Sequence, residues 1–264
     1  MSDAPPAPQP LSVDVVDAHC HLDIMGGSVT EHLAAAQAVG VRQVVTIGID
    51  ITSSRWCAET AAEHADVHAA VAIHPNEAHA AVDAALDEIE VLANSEHVVA
   101  VGETGLDYYR DTATREQQHT SFVRHIDIAK RHDKALVVHD RDAHNEVLRV
   151  LEHEGAPPRV VLHCFSGDAS FARACAERGY FMSFAGNVTF KSAQPLRDAA
   201  AVVPIELLLV ETDAPFLAPM PHRGRPNAPY LVPLTVRALA ALRGEPEPDL
   251  AGAVRANAAR AFGI

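Results

Sequence analysis

The sequence lacks several features that would assign it to common classes of protein. It has only four cysteines, and none of them forms a C-x-x-C pair, so a zinc site built from thiolates is not expected. No apolar run is long enough to span a membrane, and the first residues have neither the basic nor the apolar region of a signal peptide. We therefore expect a cytoplasmic protein with reduced thiols and no membrane partner.

Positive charge is also scarce. The chain has 21 Lys and Arg against 35 Asp and Glu, a net charge of −14 with neutral histidines, and no block of basic residues. Proteins that cover duplex DNA or anionic membranes usually present a basic face. A polyanionic substrate would therefore have to be held locally, by metal ions and a few arginines.

The chain alternates between strand-like and helix-like segments over almost its whole length. The predicted strands cover residues 13–20, 41–49, 67–74, 98–103, 135–139, 160–163, 180–184 and 205–210. Helical patterns lie near residues 28–39, 52–64, 82–92, 169–178, 192–201 and 231–242, and two more follow the strands at 98–103 and 135–139. The helix that follows the strand at 98–103 begins at a capping-box sequence, Thr114 to Gln117.

Eight strand–helix units in a chain of this length predict an α/β fold of the (β/α)8 TIM-barrel type. The near-continuous apolar strands are typical of parallel strands covered on both faces. An open doubly wound sheet normally carries a Gly-rich phosphate loop after its first strand, and this sequence has none there. We predict a disordered Pro-rich tail at residues 1–12 and a single barrel domain at residues 13–264.

The first strand ends in a group of metal-competent side chains. Residues two apart in a strand point to the same face, so Asp17, His19 and His21 share one side. Two such imidazoles can bind one divalent ion, and Asp17 is expected to orient one of them. The alternative is two partly buried histidines satisfied by backbone groups.

Other strands end in the same kinds of side chain. Together with the first strand they supply His19, His21, Glu103, His139, His163 and Asp213. The carboxyl ends of barrel strands form the face that carries active sites. Six donors exceed the needs of one ion, so we predict two divalent ions bridged by Glu103. One ion would take His19, His21 and Asp213, and the other would take His139 and His163.

Further polar residues lie near these strand ends. His74 ends the third predicted strand and is a candidate substrate contact, and Arg141, Arg223 and Arg225 are candidate phosphate contacts. Glu211 could orient a ligand or assist proton transfer, or it could be a buried carboxylate in a polar network. Ten further histidines are interpreted as surface or helix-face residues: His32, His64, His68, His79, His97, His119, His125, His132, His144 and His153.

Several of these segments together carry a family likeness. They are Asp17-Ala-His-Cys-His-Leu-Asp23, Gly102-Glu-Thr-Gly-Leu-Asp-Tyr108, Val138-His-Asp-Arg-Asp-Ala143, His163-Cys-Phe-Ser-Gly167, Glu211-Thr-Asp-Ala-Pro-Phe-Leu217 and Pro221-His-Arg-Gly-Arg-Pro-Asn227. In this order they resemble the TatD-type metal-dependent deoxyribonuclease family, from residue 13 to the end of the chain. The family often has a second histidine after the third-strand His-Pro, where this chain has Asn76.

The resemblance implies a barrel of the amidohydrolase superfamily that binds two divalent ions, Mg, Mn or Zn. It implies hydrolysis of DNA phosphodiester bonds through a metal-activated water, as a 3′–5′ exonuclease on single strands or ends. It implies the same six metal ligands, with Asp213, Glu103 and Glu211 as catalytic candidates. The alternatives are a two-metal hydrolase of a small lactone, amide or phosphate ester, and a barrel that binds without catalysis.

Overall fold

Strands and helices alternate along the chain in the computed structural model, which describes residues 4–264. The strands are β1 Val15–Cys20, β2 Val41–Ile47, β3 Val67–Val71, β4 Val98–Asp107, β5 Ala135–Arg141, β6 Val160–Leu162, β7 Phe181–Phe184 and β8 Leu208–Val210. The helices are α1 Val29–Gln37, α2 Ile51–Glu63, α3 Asp83–Ala93, α4 Arg115–Arg131, α5 His144–Glu154, α6 Ala169–Glu177, α7 Gln194–Val202, α8 Val232–Arg243 and α9 Glu247–Phe262. The strands belong to one sheet in chain order, so the predicted (β/α)8 fold is confirmed.

The chain divides into two compact units. Unit 1 consists of Met1–Val45 with Gly167–Arg260, and unit 2 consists of Thr46–Ser166 with Ala261–Ile264. Unit 1 holds β1, β7 and β8 in full, and unit 2 holds β3 to β6. The single domain expected for residues 13–264 stays a prediction.

Two glycines of β4 shape the sheet of unit 2. β4 pairs in parallel with β5, and its register shifts between Val101 and Thr104. A Cβ on Gly102 would lie 2.5 Å from Cβ of Val137, and one on Gly105 would lie 2.2 Å from the carbonyl oxygen of His139. Glycine is therefore required for the two strands to approach closely here. β4 continues beyond its predicted end at residue 103 to Asp107.

Unit 1 joins the ends of β1 and β8. Cys20 forms a parallel bridge with Ala214, and the amide of His21 donates to the carbonyl of Ala214 at 2.8 Å. The amide of Asp213 donates to the carbonyl of His19 at 2.9 Å. β8 is shorter than predicted because residues 205–207 form a 3-10 turn. The pairing therefore extends past β8 and fixes the segment that follows it.

Four helices, α1, α2, α4 and α6, begin where a capping side chain accepts from one of their first amides. The predicted capping box of Thr114 with Gln117 opens α4, and Ser28 with Glu31 forms another at α1. The sequence interpretation missed α9, whose Pro248 lies in the first turn, where a missing N–H is tolerated. Within residues 4–264, no helix combines the length and the apolarity that crossing a membrane requires.

The predicted disordered tail starts outside the described residues, which exclude residues 1–3. Residues 4–12 belong to unit 1 and are bound to its later segments. Carbonyls of this segment accept hydrogen bonds from Arg225, Tyr230 and Arg237, and Leu11 is buried. Disorder is therefore the wrong description for residues 4–12, because hydrogen bonds and an apolar anchor hold this Pro-rich segment in place.

Candidate metal centre

Unit 1 brings together two imidazoles and one carboxylate. Nε2 of His19 lies 3.3 Å from Nε2 of His21. Oδ1 of Asp213 lies 3.8 Å from the first of these nitrogens and 3.5 Å from the second. Ligands held about 2.0–2.2 Å from one ion at tetrahedral angles are about 3.3–3.6 Å apart. Three donor atoms in unit 1 therefore have the spacing of a shared ion.

The backbone around Asp213 is held from both sides. Asp213 has a φ of 54°, so the two-residue alternation of a strand does not continue to it. The side-chain amide of buried Asn227 donates to the carbonyls of Thr212 and Phe216, at 2.8 and 2.6 Å. Asn227 therefore clamps the turn that aims Asp213 at the two histidines. Its part was not recognised from the sequence.

Asp17 has a different role from the predicted one. Its carboxylate accepts from the amide of Thr212 at 2.8 Å, from the Thr212 hydroxyl at 2.5 Å and from the amide of His19 at 3.4 Å. It therefore ties β1 to the segment after β8 instead of orienting an imidazole. Burial raises the pKa of Asp17 to about 8, and the charge of Glu211 acts in the same direction while the bonds from Thr212 oppose it.

Unit 2 gathers three histidines around one carboxylate oxygen. Oε2 of Glu103 lies 2.6 Å from Nε2 of His163, 3.2 Å from Nδ1 of His139 and 3.8 Å from Nε2 of His74. Nε2 of His163 is also 3.4 Å from Nδ1 of His139. His74, Glu103 and His139 form a group able to hold a metal ion. The predicted substrate contact His74 therefore lies among the ligand candidates.

A second carboxylate of unit 2 binds the opposite nitrogen of His139. Oδ2 of Asp107 lies 3.3 Å from Nε2 of His139 and accepts from the side chain of Asn76, also at 3.3 Å. Asn76 in turn donates its amide to Nδ1 of His74 at 2.9 Å. Sequence reasoning missed Asp107, although it follows Glu103 by four positions on the same strand. That even spacing was the signal that could have found it.

The titration behaviour of unit 2 follows from these contacts. Burial alone would raise the pKa of Glu103, but His163, His74 and His139 outweigh it and hold the pKa well below its usual range. Burial alone would lower the pKa of His139, but Asp107 and Glu103 outweigh it and raise the pKa. Burial lowers the pKa of His74 to about 3, so this imidazole is neutral and able to act as a ligand.

The donor chemistry of both groups fits divalent metal ions. Each group combines imidazole nitrogen donors with a carboxylate, a mixture that suits zinc and also accommodates manganese or magnesium. Buried imidazoles packed this closely around a carboxylate oxygen are also the usual surroundings of a cation. In unit 1 the set is His19, His21 and Asp213; in unit 2 it is Glu103 with His139, His163 and His74.

The three candidate arginines have different surroundings. Cζ of Arg141 lies 3.9 Å from the ring centroid of Tyr109, and Cζ of Arg223 lies 4.5 Å from that of Phe190. Arg225 donates to the carbonyl of Ala4 at 2.9 Å, so part of its guanidinium is bound to the N-terminal segment. Phosphate contacts of these arginines stay predictions.

Two other polar residues are fully buried. Glu211 is buried after β8, beside Asp17, and its amide donates to the carbonyl of Phe184 at 3.2 Å. His125 was interpreted as a surface or helix-face residue. It lies on α4, but it is completely buried, so the surface alternative is wrong. Its Nδ1 donates to the carbonyl of Ser121 at 2.7 Å, and its Nε2 accepts from the amide of Ile73 at 3.1 Å. His125 therefore holds the backbone that precedes His74.

Comparison with known proteins identifies the relatives of this chain. The sequence matches the family described as TatD related DNase over residues 16–263. The chain belongs to this family. It is 47% identical over 259 residues to the uncharacterized metal-dependent hydrolase TatD of Mycobacterium tuberculosis, covering 95% of this chain and 98% of the relative. It is 38% identical over 256 residues to the uncharacterized metal-dependent hydrolase YcfH of Escherichia coli K12, covering 95% and 96%.

A solved structure supports the same assignment. YjjV, a TatD homolog from Escherichia coli K12, superposes with a TM-score of 0.90 at 29% identity, covering 95% of this chain and 98% of YjjV. The expected TatD-type resemblance is therefore confirmed, and this TatD-family chain is a metal-dependent hydrolase.

Proposed function

We propose that this TatD-family hydrolase cleaves phosphodiester bonds in DNA, acting on single strands or strand ends in the 3′ to 5′ direction. The observation that carries the proposal is the pair of buried imidazole–carboxylate groups at strand ends, each with at least three donor atoms. The family description, TatD related DNase, supports DNA as the substrate. The imidazole and carboxylate donors of these groups suit divalent metal ions, and such ions bind a phosphate ester.

Both groups are proposed to serve one reaction with two divalent ions, Mg, Mn or Zn. His19, His21 and Asp213 would hold one ion, and His139 and His163 the other, with Glu103 as the bridge. The support is that all six residues lie in or just after strands of a (β/α)8 fold, whose active sites lie at the carboxyl ends of the strands. Bound ions of this kind supply positive charge to the phosphate and lower the pKa of water.

The chain's own residues would orient the attack and take up its proton. Asp213 is the proposed acceptor of the water proton, because it lies at the edge of its group with part of its side chain open to solvent. Buried Glu211 is the second candidate. It precedes Asp213 by two residues and its charge acts on Asp17. Arg141 and Arg223 are proposed to bind the substrate's other phosphates.

The test is digestion of single-stranded oligonucleotides blocked at the 3′ or the 5′ end, with Mg²⁺, Mn²⁺ or Zn²⁺ and with chelator. The proposal predicts metal-dependent shortening that a 3′ block prevents and a 5′ block does not. Parallel assays with lactones, amides and small phosphate esters use the same metal-loaded protein. Turnover of one of those small substrates, with no cleavage of DNA, would contradict the proposal.

A further inference from the structure

Two tyrosines and three arginines form a surface of unit 2 that the metal groups do not use. We call Tyr108, Tyr109, Arg110, Arg115 and Arg141 the Tyr–Arg patch. Cζ of Arg141 lies 3.9 Å from the ring centroid of Tyr109, and Cζ of Arg115 lies 4.0 Å from that of Tyr108. Tyr109 is 62% exposed, so the rest of its ring surface is open to a ligand.

The arginines of the patch form no close ion pair with a carboxylate, although the charge of Arg115 acts on Glu146. Elsewhere in unit 2 the arginines are paired, as Arg55 is with Glu88 and Arg131 with Glu90. Over residues 4–264, the structure gives the guanidinium groups of Arg110, Arg115 and Arg141 no ion pair with an acidic side chain. Three such cations close together in a chain of net charge −14 make a local site for an anion.

The patch is fixed to the metal group of unit 2 through Asp107. Oδ1 of Asp107 accepts from the amides of Tyr109 and Arg110, at 2.9 and 3.0 Å, while its Oδ2 faces His139. The amide of Tyr108 also donates to the carbonyl of Arg141 at 2.9 Å. A phosphodiester at the metal group would therefore have its neighbouring nucleotide beside the patch.

A cavity of about 310 Å³ opens at the same loop. Tyr108, Arg110 and Arg115 contribute to its lining, together with Asp107 and Asp111. Its volume is at the lower end of the range for small-ligand pockets, which suits one nucleotide unit better than a larger ligand. An aromatic ring and two guanidinium groups at such a cavity fit a planar base with an attached phosphate.

We propose that the Tyr–Arg patch binds single-stranded nucleic acid, with a base stacked on Tyr109 and the flanking phosphates bound by Arg141, Arg110 and Arg115. This inference rests on the proposed function and names its substrate class. Aromatic rings interleaved with cations are the general means of binding single strands, because every base has a stacking face. A duplex keeps its bases paired and stacked inside, so it does not offer them to an exposed tyrosine.

The stacking is tested with two oligonucleotides of equal length and equal phosphate number, one with normal bases and one with abasic residues near its 3′ end. Cleavage is measured on metal-loaded wild type, Tyr109→Ala, Tyr109→Phe and the control Val91→Ala, an exposed apolar residue of α3. Tyr109→Ala is expected to raise KM for the normal oligonucleotide about tenfold and to leave the abasic one unchanged. Tyr109→Phe and Val91→Ala are expected to match wild type.

The outcomes separate the two proposals. Equal KM values of wild type for both oligonucleotides, or equal losses on both in Tyr109→Ala, would overturn the base stacking while leaving the nuclease activity standing. Failure of wild type to cleave either one would overturn the proposed function itself, and the substrate class with it.

The phosphate contact of Arg141 is tested by measuring how KM depends on salt concentration. Each phosphate neutralised on a single strand contributes about 0.7 to the slope of log affinity against log salt concentration. Arg141→Ala is expected to reduce that slope, measured from 1/KM, by about 0.7. Arg131→Ala, which removes a paired arginine of α4, is expected to leave it unchanged. Equal slopes in wild type and Arg141→Ala would overturn the phosphate contact.

Discussion

Oδ2 of Asp107 lies 3.3 Å from Nε2 of His139, and the other nitrogen of that imidazole, Nδ1, faces Oε2 of Glu103 at 3.2 Å. The imidazole ring is therefore held between two carboxylates that lie four positions apart on β4. A carboxylate on the far nitrogen of a histidine ligand fixes the ring's orientation and raises its basicity. Asp107 is thus a positioning residue for His139, and Asn76 holds Asp107 from its other side.

Asp107→Asn should weaken metal binding and hydrolysis together, by about 10- to 100-fold, because the amide is a poorer acceptor for the imidazole. Metal affinity measured by competition with a chelator, alongside the hydrolysis rate, checks this. Asp87→Asn, on an exposed carboxylate of α3, is the matched control and should behave like wild type. Unchanged metal affinity in Asp107→Asn would remove the positioning role.

The two donor groups should be separable by metal content. We expect wild type to bind two ions per chain and the double variant His19→Asn with His21→Asn to retain one, because the donors of unit 2 stay intact. Elemental analysis of folded protein after removal of loose metal gives the count. His153→Asn, on an exposed histidine of α5, is the control. Two ions in the double variant would contradict the assignment of one ion to His19, His21 and Asp213.

Asn227→Ala should lower the free energy of unfolding by about 2 kcal/mol, since it leaves the buried carbonyl of Thr212 and the part-buried carbonyl of Phe216 without their donor. Urea unfolding of metal-free protein measures the change without a contribution from bound ions. Asn94→Ala, at an exposed position after α3, is the control and should cost much less. A loss no larger than that of the control would show that the clamp is dispensable.

His125 should make the protein less stable in mild acid. Burial lowers its pKa to about 4, from 6.5 for an ordinary histidine. Below pH 6.5 the unfolded chain therefore binds a proton that the folded chain does not. The contribution of His125 to the free energy of unfolding is complete above pH 6.5. It is lost as the pH falls from 6.5 to 4, by roughly 3 kcal/mol in total.

The measurement is the unfolding free energy against pH for wild type and His125→Gln, which keeps an acceptor for the amide of Ile73 but cannot titrate. The difference between the two curves isolates His125 from the carboxylates that titrate in the same range. His153→Gln is the control. Parallel curves for wild type and His125→Gln would show that His125 does not carry this pH dependence.

The sequence was sufficient for features that depend on local pattern. Apolar periodicity gave the eight strand–helix units, and Thr114 with Gln117 marked the start of α4. His19 lies beside His21 because residues two apart in a strand share a face. Glu103 lies beside His139 because their two strands are neighbours in the sheet.

Contacts that depend on distant segments could not be read in the same way. Asp17 binds Thr212, 195 positions away, so no local spacing indicates its partner. His125 lies on a helix otherwise rich in polar residues, and only the packing of α4 shows that it is buried. The left-handed backbone of Asp213 likewise depends on Asn227, which the sequence places in a Pro-rich loop.

The most direct test of the proposed two-ion nuclease is the rate at which metal-loaded Glu103→Ala shortens a single-stranded oligonucleotide, compared with wild type. Glu116→Ala, on the first turn of α4, is the control. We predict metal-dependent cleavage by wild type and Glu116→Ala, none with chelator, and a loss of at least about 100-fold in Glu103→Ala. Cleavage by Glu103→Ala at the wild-type rate would contradict the account.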